Sequence, residues 1–340
     1  MNDMPFQLVV IEGDGIGHEV IPAATQVLAA TGFAFETTHA QAGWDCFERC
    51  GTALPEETVA LARRGDAILF GAVSSPSHRV EGYSSPIVRL RRELDLYANL
   101  RPSQSWPVET SRPGIDLLIV RENSEGLYVK RERREGDTAI AERVITRQGS
   151  ERIVRVACEW AMRRKKHLTV VHKANVLPET CGLFRQRALA VAATYPDLTV
   201  DEMLVDAMAM RLVTHPERFD VVVSTNLFGD ILSDEAAGLV GGLGLAPSAN
   251  IGSMRSPALF EPVHGSAPDI AGQGIANPIA AILAAAMLLD HWSQPEHAHR
   301  VRQAVRHVIQ NGPHTPDLGG AATTDQVTQV MIERITNDNR

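Results

Sequence analysis

The chain has little cysteine: 4 residues in 340, at Cys46, Cys50, Cys158 and Cys181. Cys46 and Cys50 stand four apart, but no matching Cys or His pair completes a zinc spacing. The scatter suits free thiols in a reducing compartment. An excess of positive charge is also missing. With 33 Lys and Arg against 41 Asp and Glu, the net charge is -8. That argues against a nucleic-acid partner, because phosphate binding needs a basic face, yet it leaves room for a local basic pocket. No uncharged apolar run is long enough to span a bilayer. The opening MNDMPFQLVVIEGDG lacks the basic patch, apolar core and cleavage site of a leader. The expectation is a cytoplasmic enzyme or subunit with no membrane contact. Repeats, low-complexity tracts and a Pro/Gly/Ser-rich linker are absent too. A chain of 340 residues suggests two domains. They would be joined by continuous elements, and one of them can be discontinuous in sequence.

The composition itself is ordinary for a globular protein, 44% apolar and 22% charged. QLVVI (7–11) reads as a buried strand that runs through Glu12-Gly13-Asp14-Gly15-Ile16-Gly17 into a helix ending near Ala30. The glycines fall as GxGxG and miss the third position of a dinucleotide fingerprint, and Glu36 is too early and Asp45 too late to serve as its acid. DAILFGAV (66–73) is a second buried strand, after a helix ending near Gly65. Strand and helix signals keep alternating, which predicts an α/β fold with a largely parallel sheet.

The richest stretch is DVVVSTNLFGDILSDEAAGLVGGLGLAPSAN (220–250). Val221 to Val223 read as a strand, and Thr225-Asn226 as its turn into a helix. Asp230 and Asp234 are four apart, so both lie on one helix face. They repel unless something positive sits between them. A hard divalent cation with oxygen ligands fits that place; the bland alternative is two acids favouring the positive end of a young helix. Gly238, Gly241, Gly242 and Gly244 read as close packing and turns.

Arginines crowd the segment VRLRRELDLYANLR (88–101), with Arg101 opening an Arg-Pro turn, and Arg121 ends the strand 116–120. Arg forks carboxylates, so arginines at strand and turn ends in an acidic protein suggest a polycarboxylate pocket, against the alternative of surface ion pairs. Tyr128 follows the same strand and can donate a proton if held near a cation; otherwise it packs. Lys173 ends the strand Thr169–His172 and can act as a base if its environment lowers its proton affinity; otherwise it is solvated. Asp206 lies beyond another apolar run. The nearly uncharged helix 279–289 must be buried, in part against a partner.

Taken in order, GDGIGHEV (13–20), LRRELDLYANLRP (90–102), RENSEGLY (121–128), HKANV (172–176), NLFGDILSDEAAGLVGGLG (226–244) and EPVHGSAPDIAGQGIANP (261–278) resemble the β-decarboxylating dehydrogenases of hydroxy acids, the isocitrate/isopropylmalate dehydrogenase family. The resemblance covers essentially the whole chain. It implies a two-domain isopropylmalate dehydrogenase-like α/β fold rather than a Rossmann fold. One domain would join 1–96 to 248–340; the other, 97–247, would make the contact of a homodimer that can pair further into a tetramer.

The resemblance also implies roles. Arg91, Arg101 and Arg121 grip substrate carboxylates, with Asn175, Ser85 and Val88 also at the substrate. Asp206, Asp230 and Asp234 hold Mg2+ or Mn2+, and Asp206 and Lys173 reach in from a second subunit. Lys173 takes the hydroxyl proton and Tyr128 returns one to carbon. Glu261, His264, Gly265, Ser266, Ala267, Asp269 and Asn277 form the nucleotide site. Asp269 matches the acid that receives the adenosine ribose in NAD-dependent members and repels a 2′-phosphate, so NAD is expected over NADP.

The segment ahead of Arg91, SSPSHRVEGYSSPIV (74–88), resembles that of homoisocitrate enzymes. Its His78, Arg79, Tyr83, Ser84 and Ser85 suit a distal carboxylate better than an isopropyl group. Ser85 matches the serine with which isocitrate enzymes hold a carboxylate, and Val88 stands where bacterial homoisocitrate enzymes can carry arginine. The expected substrate is homoisocitrate, in an α-aminoadipate route to lysine. The alternatives are isocitrate, 3-isopropylmalate and D-malate or tartrate, and more remotely a non-catalytic regulatory subunit.

Overall fold

The structure, a computed structural model, describes residues 5–78, 80–253 and 256–337; Arg79 of the selectivity segment lies outside them. The chain divides into two compact units, one of 1–94, 106–111 and 241–340, the other of 95–105 and 112–240.

The first unit opens with β1 (Phe6–Gly13), α1 (Gly17–Ala30), β2 (Phe35–His39), α2 (Trp44–Cys50), α3 (Glu56–Arg64), β3 (Ala67–Ala72) and α4 (Pro86–Glu93). Leu8 to Ile11 are all buried, which is why this run is apolar throughout rather than alternating: a parallel strand is covered on both faces. The second unit contains β4 (Ala98–Gln104), β5 (Asp116–Glu122), the hairpin β6 (Glu132–Glu135) and β7 (Thr138–Ala141), α5 (Arg147–Met162), β8 (His167–His172), α6 (Thr180–Ala192), β9 (Thr199–Leu204), α7 (Val205–Thr214), β10 (Val221–Ser224) and α8 (Asn226–Leu239). The chain then returns to the first unit with β11 (Pro247–Ile251), β12 (Ala258–Pro262), α9 (Ile279–His291), α10 (Pro295–Asn311) and α11 (Thr324–Asn337).

Strands of the first unit lie in the order β2-β1-β3-β12-β11, all parallel except β11 against β12. Those of the second lie in the order β4-β5-β10-β8-β9, all parallel except β4 against β5. The antiparallel members and the β6–β7 hairpin depart from the sequence expectation of simple alternation. Arg101-Pro102 is not a turn: both lie inside β4, opposite Ile119 and Leu118. An antiparallel ladder needs the amide of only every second residue from one neighbour, so a proline is tolerated.

The nearly uncharged α9 is buried within its own unit, with ten buried residues among its 13, rather than against a partner; a helix apolar all round is a core helix. In the second unit Ile119, Val171, Met208, Leu212, Val222, Leu232 and Ala236 form one core cluster. It pins the apolar faces of α7 and α8 to the strands, each Leu or Ile side chain contributing about 1.5–3 kcal/mol. Gly241 and Gly242 turn the chain after α8 at φ 115° and 100°, whereas Gly238 faces open space within the chain. Among the described residues no helix is long and apolar enough to cross a membrane.

Candidate active site

In the second unit β5, β8 and β9 end at the same edge, and their carboxyl ends carry Arg121, Lys173 and Asp206. Ligands meet α/β sheets at that edge. α8 starts there too, directly after β10.

Arg121 is 2% exposed. Its Nε and Nη2 donate to Asn226 Oδ1 at 3.0 and 2.7 Å, and its Nη1 donates to Asp230. The guanidinium carbon lies 5.0 Å from the centre of the Tyr128 ring, and the Tyr128 hydroxyl donates to the other oxygen of Asp230. Arg101, on β4, places Nη1 2.8 Å from Asp234 Oδ1 and 3.3 Å from Asp230 Oδ1, and 2.8 Å from Ser233 Oγ. Its Nε donates to Asn99 Oδ1 at 2.8 Å. The sequence argument asked for something positive between Asp230 and Asp234; within the chain that role falls to Arg101.

Burial pushes the Tyr128 phenol up, the bond to Asp230 adds to this, and Arg121 opposes it. The group therefore holds its proton at neutral pH, as a general acid must. Burial also raises the Asp234 carboxyl, with Arg101 opposing and Asp230 reinforcing. Only one Asp234 oxygen is engaged by Arg101, and the side chain is 54% exposed, so lone pairs remain. Two carboxylates on one helix face suit a hard divalent cation.

Asp206 does not join them within the chain. It lies in the first turn of α7 and pairs with Lys173, Nζ to Oδ1 2.5 Å. This bond holds the Asp206 carboxyl below its usual range. Among the described residues no three His, Cys, Asp or Glu side chains gather as a metal site. Asn175 is exposed in the turn after Lys173.

The remaining candidates lie in the first unit. Arg91, on α4, donates to Glu261 at 2.8 Å, which also accepts from Asn250 at 2.7 Å. Arg91 Nε is buried without a partner, a donor suited to an incoming carboxylate. Ser85 opens α4 and makes no capping bond with its side chain; Val88 is half-buried on the same helix.

The loop after β12 holds His264, whose Nδ1 faces the Gly265 carbonyl at 3.0 Å. Burial keeps the imidazole below its usual range. The neutral ring therefore presents Nε2 as an acceptor, and that atom is buried with no partner. Ser266 O accepts from Ile16 N at 2.9 Å, an approach open because residue 15 is glycine: a Cβ there would sit 2.2 Å from that oxygen. Ala267 takes φ 40°, strained for a residue with a Cβ. Gly265 and Asp269 are exposed. Asn277 donates to Asp317 at 2.9 Å and accepts from the Ile279 amide at 3.0 Å, so it braces the start of α9. An unpartnered acceptor, exposed glycine backbone and an exposed acid fit an adenine nucleotide.

Sequence reasoning missed the groups that hold these side chains. Asn99 and Asn226 lie inside quoted motifs, yet nothing local shows that they grip arginines. Asp14, 1% exposed, accepts from the amides of Trp44, Asp45 and Ser74 at 2.7, 3.0 and 2.8 Å, and Ser74 Oγ donates to Ser266 Oγ at 2.8 Å.

Comparison with known proteins gives the family. A family profile described as isocitrate/isopropylmalate dehydrogenase matches residues 7–335. An isocitrate/homoisocitrate dehydrogenase of Thermus thermophilus is 59% identical over 98% of this chain and 99% of its own. A homoisocitrate dehydrogenase of Methanocaldococcus jannaschii is 51% identical over 97% and 98%. The crystal structure of isocitrate dehydrogenase from Methylococcus capsulatus superposes with a TM-score of 0.93 at 45% identity, covering 97% of this chain and 99% of that one. The chain belongs to the isocitrate/isopropylmalate dehydrogenase family and is an oxidative β-decarboxylating dehydrogenase.

Proposed function

We propose that the protein oxidatively decarboxylates a 2-hydroxy-3-carboxy acid, homoisocitrate first among them, with NAD and Mg2+ or Mn2+. The observation that carries this reading is the packing of Arg101, Arg121 and Tyr128 around Asp230 and Asp234. Guanidinium groups bind carboxylates, a protonated phenol supplies an acid, and paired acids suit a cation. In the first unit Arg91 offers a further guanidinium whose buried Nε suits a carboxylate.

Asp230 and Asp234, with Asp206 from a second copy of the chain, would hold the metal; His264, Asp269 and the exposed backbone between them would hold NAD. When bound, NAD takes up a hydride, and the cation supplies Lewis acidity toward the hydroxyl and the developing negative charge. The arginines orient the acid. Lys173, as the free amine left once Asp206 turns to the metal, would accept the hydroxyl proton. Tyr128 delivers a proton to carbon after CO2 departs. A non-catalytic subunit would need neither Lys173 nor Tyr128, and both are present.

Sharing between copies is supported by apolar side chains that face outward on this unit: Val176 is 61% exposed, Met210 55%, Val213 51% and Ile231 57%. An exposed apolar patch marks an interaction surface. A homodimer therefore covers α7 and α8 and brings the Lys173–Asp206 pair of one copy to the arginine cluster of the other. The four unpaired thiols suit the cytoplasm.

The preference for homoisocitrate rests on the polar segment around Ser84 and Ser85, and on the name of the relative that is 59% identical; at 51% identity the relatives are named for homoisocitrate and for 3-isopropylmalate alike. The test is kcat/KM on homoisocitrate, isocitrate, 3-isopropylmalate and D-malate with NAD and Mg2+. Homoisocitrate should lead, with isocitrate next. A lead of more than about tenfold for 3-isopropylmalate, the scale of a missing or added apolar contact, would overturn the substrate and leave the chemistry standing.

A further inference from the structure

We propose that Asn226 is the residue that aims Arg121 at the substrate carboxylate; this rests on the reading of Arg121 as a carboxylate-binding group. Asn226 is the first residue of α8 and 1% exposed. Its Oδ1 takes two N–H groups of Arg121 at 3.0 and 2.7 Å, and its Nδ2 donates to the Glu125 carbonyl at 3.1 Å. One side chain thus ties together the end of β5, the turn leading to Tyr128 and the first turn of α8.

The choice of amide has a chemical reason. A carboxylate at this position would hold the guanidinium more strongly but cancel its charge. Asp230 already supplies one counter-charge, and a second would leave little attraction for an anionic substrate. A neutral acceptor fixes the plane of the fork and keeps the charge available. Gly229 completes the seat: a Cβ there would lie 2.9 Å from Arg121 Cβ and Cγ, so α8 can approach the arginine stem only because residue 229 has none. The hydroxyl of Thr225 does not compete for the helix start, since it accepts from Arg143 at 2.9 Å. Without Asn226 the guanidinium loses the acceptor for two N–H groups and turns toward Asp230, away from an incoming carboxylate.

Asn226 acts through Arg121, so it is a positioning residue, and the test must separate aim from folding. Purified Asn226→Ala, Asn226→Asp and Arg121→Gln are compared with wild type using NAD, Mg2+ and whichever of the four acids turns over fastest. Asn226→Ala should raise KM for the acid about tenfold or more and leave KM for NAD within about twofold of wild type, because the Asn226 side chain bonds Arg121 and Glu125 and no proposed nucleotide residue. Asn226→Asp keeps an acceptor but cancels the charge, so it should raise the acid KM as well. A purely structural role would lower the amount of active enzyme, and hence the apparent kcat, with both KM values in place. The inference is overturned if Arg121→Gln raises the acid KM while folded Asn226→Ala does not. If Arg121→Gln leaves the acid KM unchanged, the carboxylate role of Arg121 fails and the inference falls with it. Should Asn226→Ala not fold, an unchanged acid KM in folded Asn226→Ser, whose shorter side chain does not reach the guanidinium, overturns it equally.

Discussion

Two charged groups at one edge of the second unit are built in opposite ways. Around Arg121 the charges are largely buried and cross-braced: Asn226, Asp230 and Tyr128 surround a guanidinium that is 2% exposed. Lys173 and Asp206 pair with each other, and the Asp206 side chain, 64% exposed, is otherwise held just by backbone amides at the start of its own helix. Burying charge is costly unless it is paired and hydrogen-bonded, so the first cluster is folded into final position by its own chain. In the second pair Lys173 is 22% exposed but Asp206 is open to solvent, so Asp206 is under little such constraint. It is free to be re-partnered, which is what a site completed by a second copy requires.

The largest effects should come from the proton-transfer groups, one on each side of this contrast. Lys173→Met and Tyr128→Phe should each lower kcat by about 10²–10⁴-fold with unchanged circular dichroism; near-normal turnover in either removes the proposed base or acid. Next, stripping with a chelator should abolish most turnover, and Mg2+ or Mn2+ should restore it. Undiminished activity after stripping would leave the acids without their proposed task.

Stability should then separate the two groups. Asp230→Ala deprives Arg121 and Tyr128 of a shared acceptor and should cost about 1–3 kcal/mol in denaturant unfolding. Asp206→Ala should leave the unfolding midpoint where it was while lowering metal affinity. Equal destabilisation by the two would erase the distinction drawn here.

A smaller effect should appear in acid. His172 is 5% exposed, its Nδ1 accepts from the Ala174 amide at 3.2 Å, and its Nε2 has no hydrogen-bond partner. Burial holds it below its usual value, with Glu202 opposing and Arg185 reinforcing. The unfolded chain thus binds this proton more readily than the folded one. Stability is fully present above about pH 6.5 and falls as pH drops toward the folded value, by at most about 1.4 kcal/mol per pH unit. His172→Gln should flatten the decline between pH 6.5 and 5; an equally steep decline would assign it to other groups.

Much of this was legible in the chain before any coordinates. Asp230 and Asp234 share a face because the helical period puts residues four apart together, and the apolar runs before Arg121 and Lys173 announced strands that deliver them to one edge, whereas the strand before Asp206, TVDEML, is half polar and carries little such signal. Local pattern did not reveal Arg101-Pro102 inside a strand, because the tolerance for proline comes from its antiparallel neighbour, β5. Nor did it reveal the seat of Arg121, where Asn226 is 105 residues away in sequence. The bracing of acids by arginines was also hidden: the sequence showed a need for positive charge between Asp230 and Asp234 but not that Arg101 meets it within the chain.

In the proposed dimer one catalytic site draws Tyr128 from one copy and Lys173 from another. Co-expression of the Lys173→Met and Tyr128→Phe chains tests this directly. Each variant alone should be nearly inactive. With random pairing in a two-fold dimer, half the dimers are mixed and each mixed dimer keeps one intact site, so turnover should recover to about a quarter of wild type. If the co-expressed enzyme forms mixed dimers and remains as inactive as either variant alone, both groups belong to one chain and the shared site is wrong.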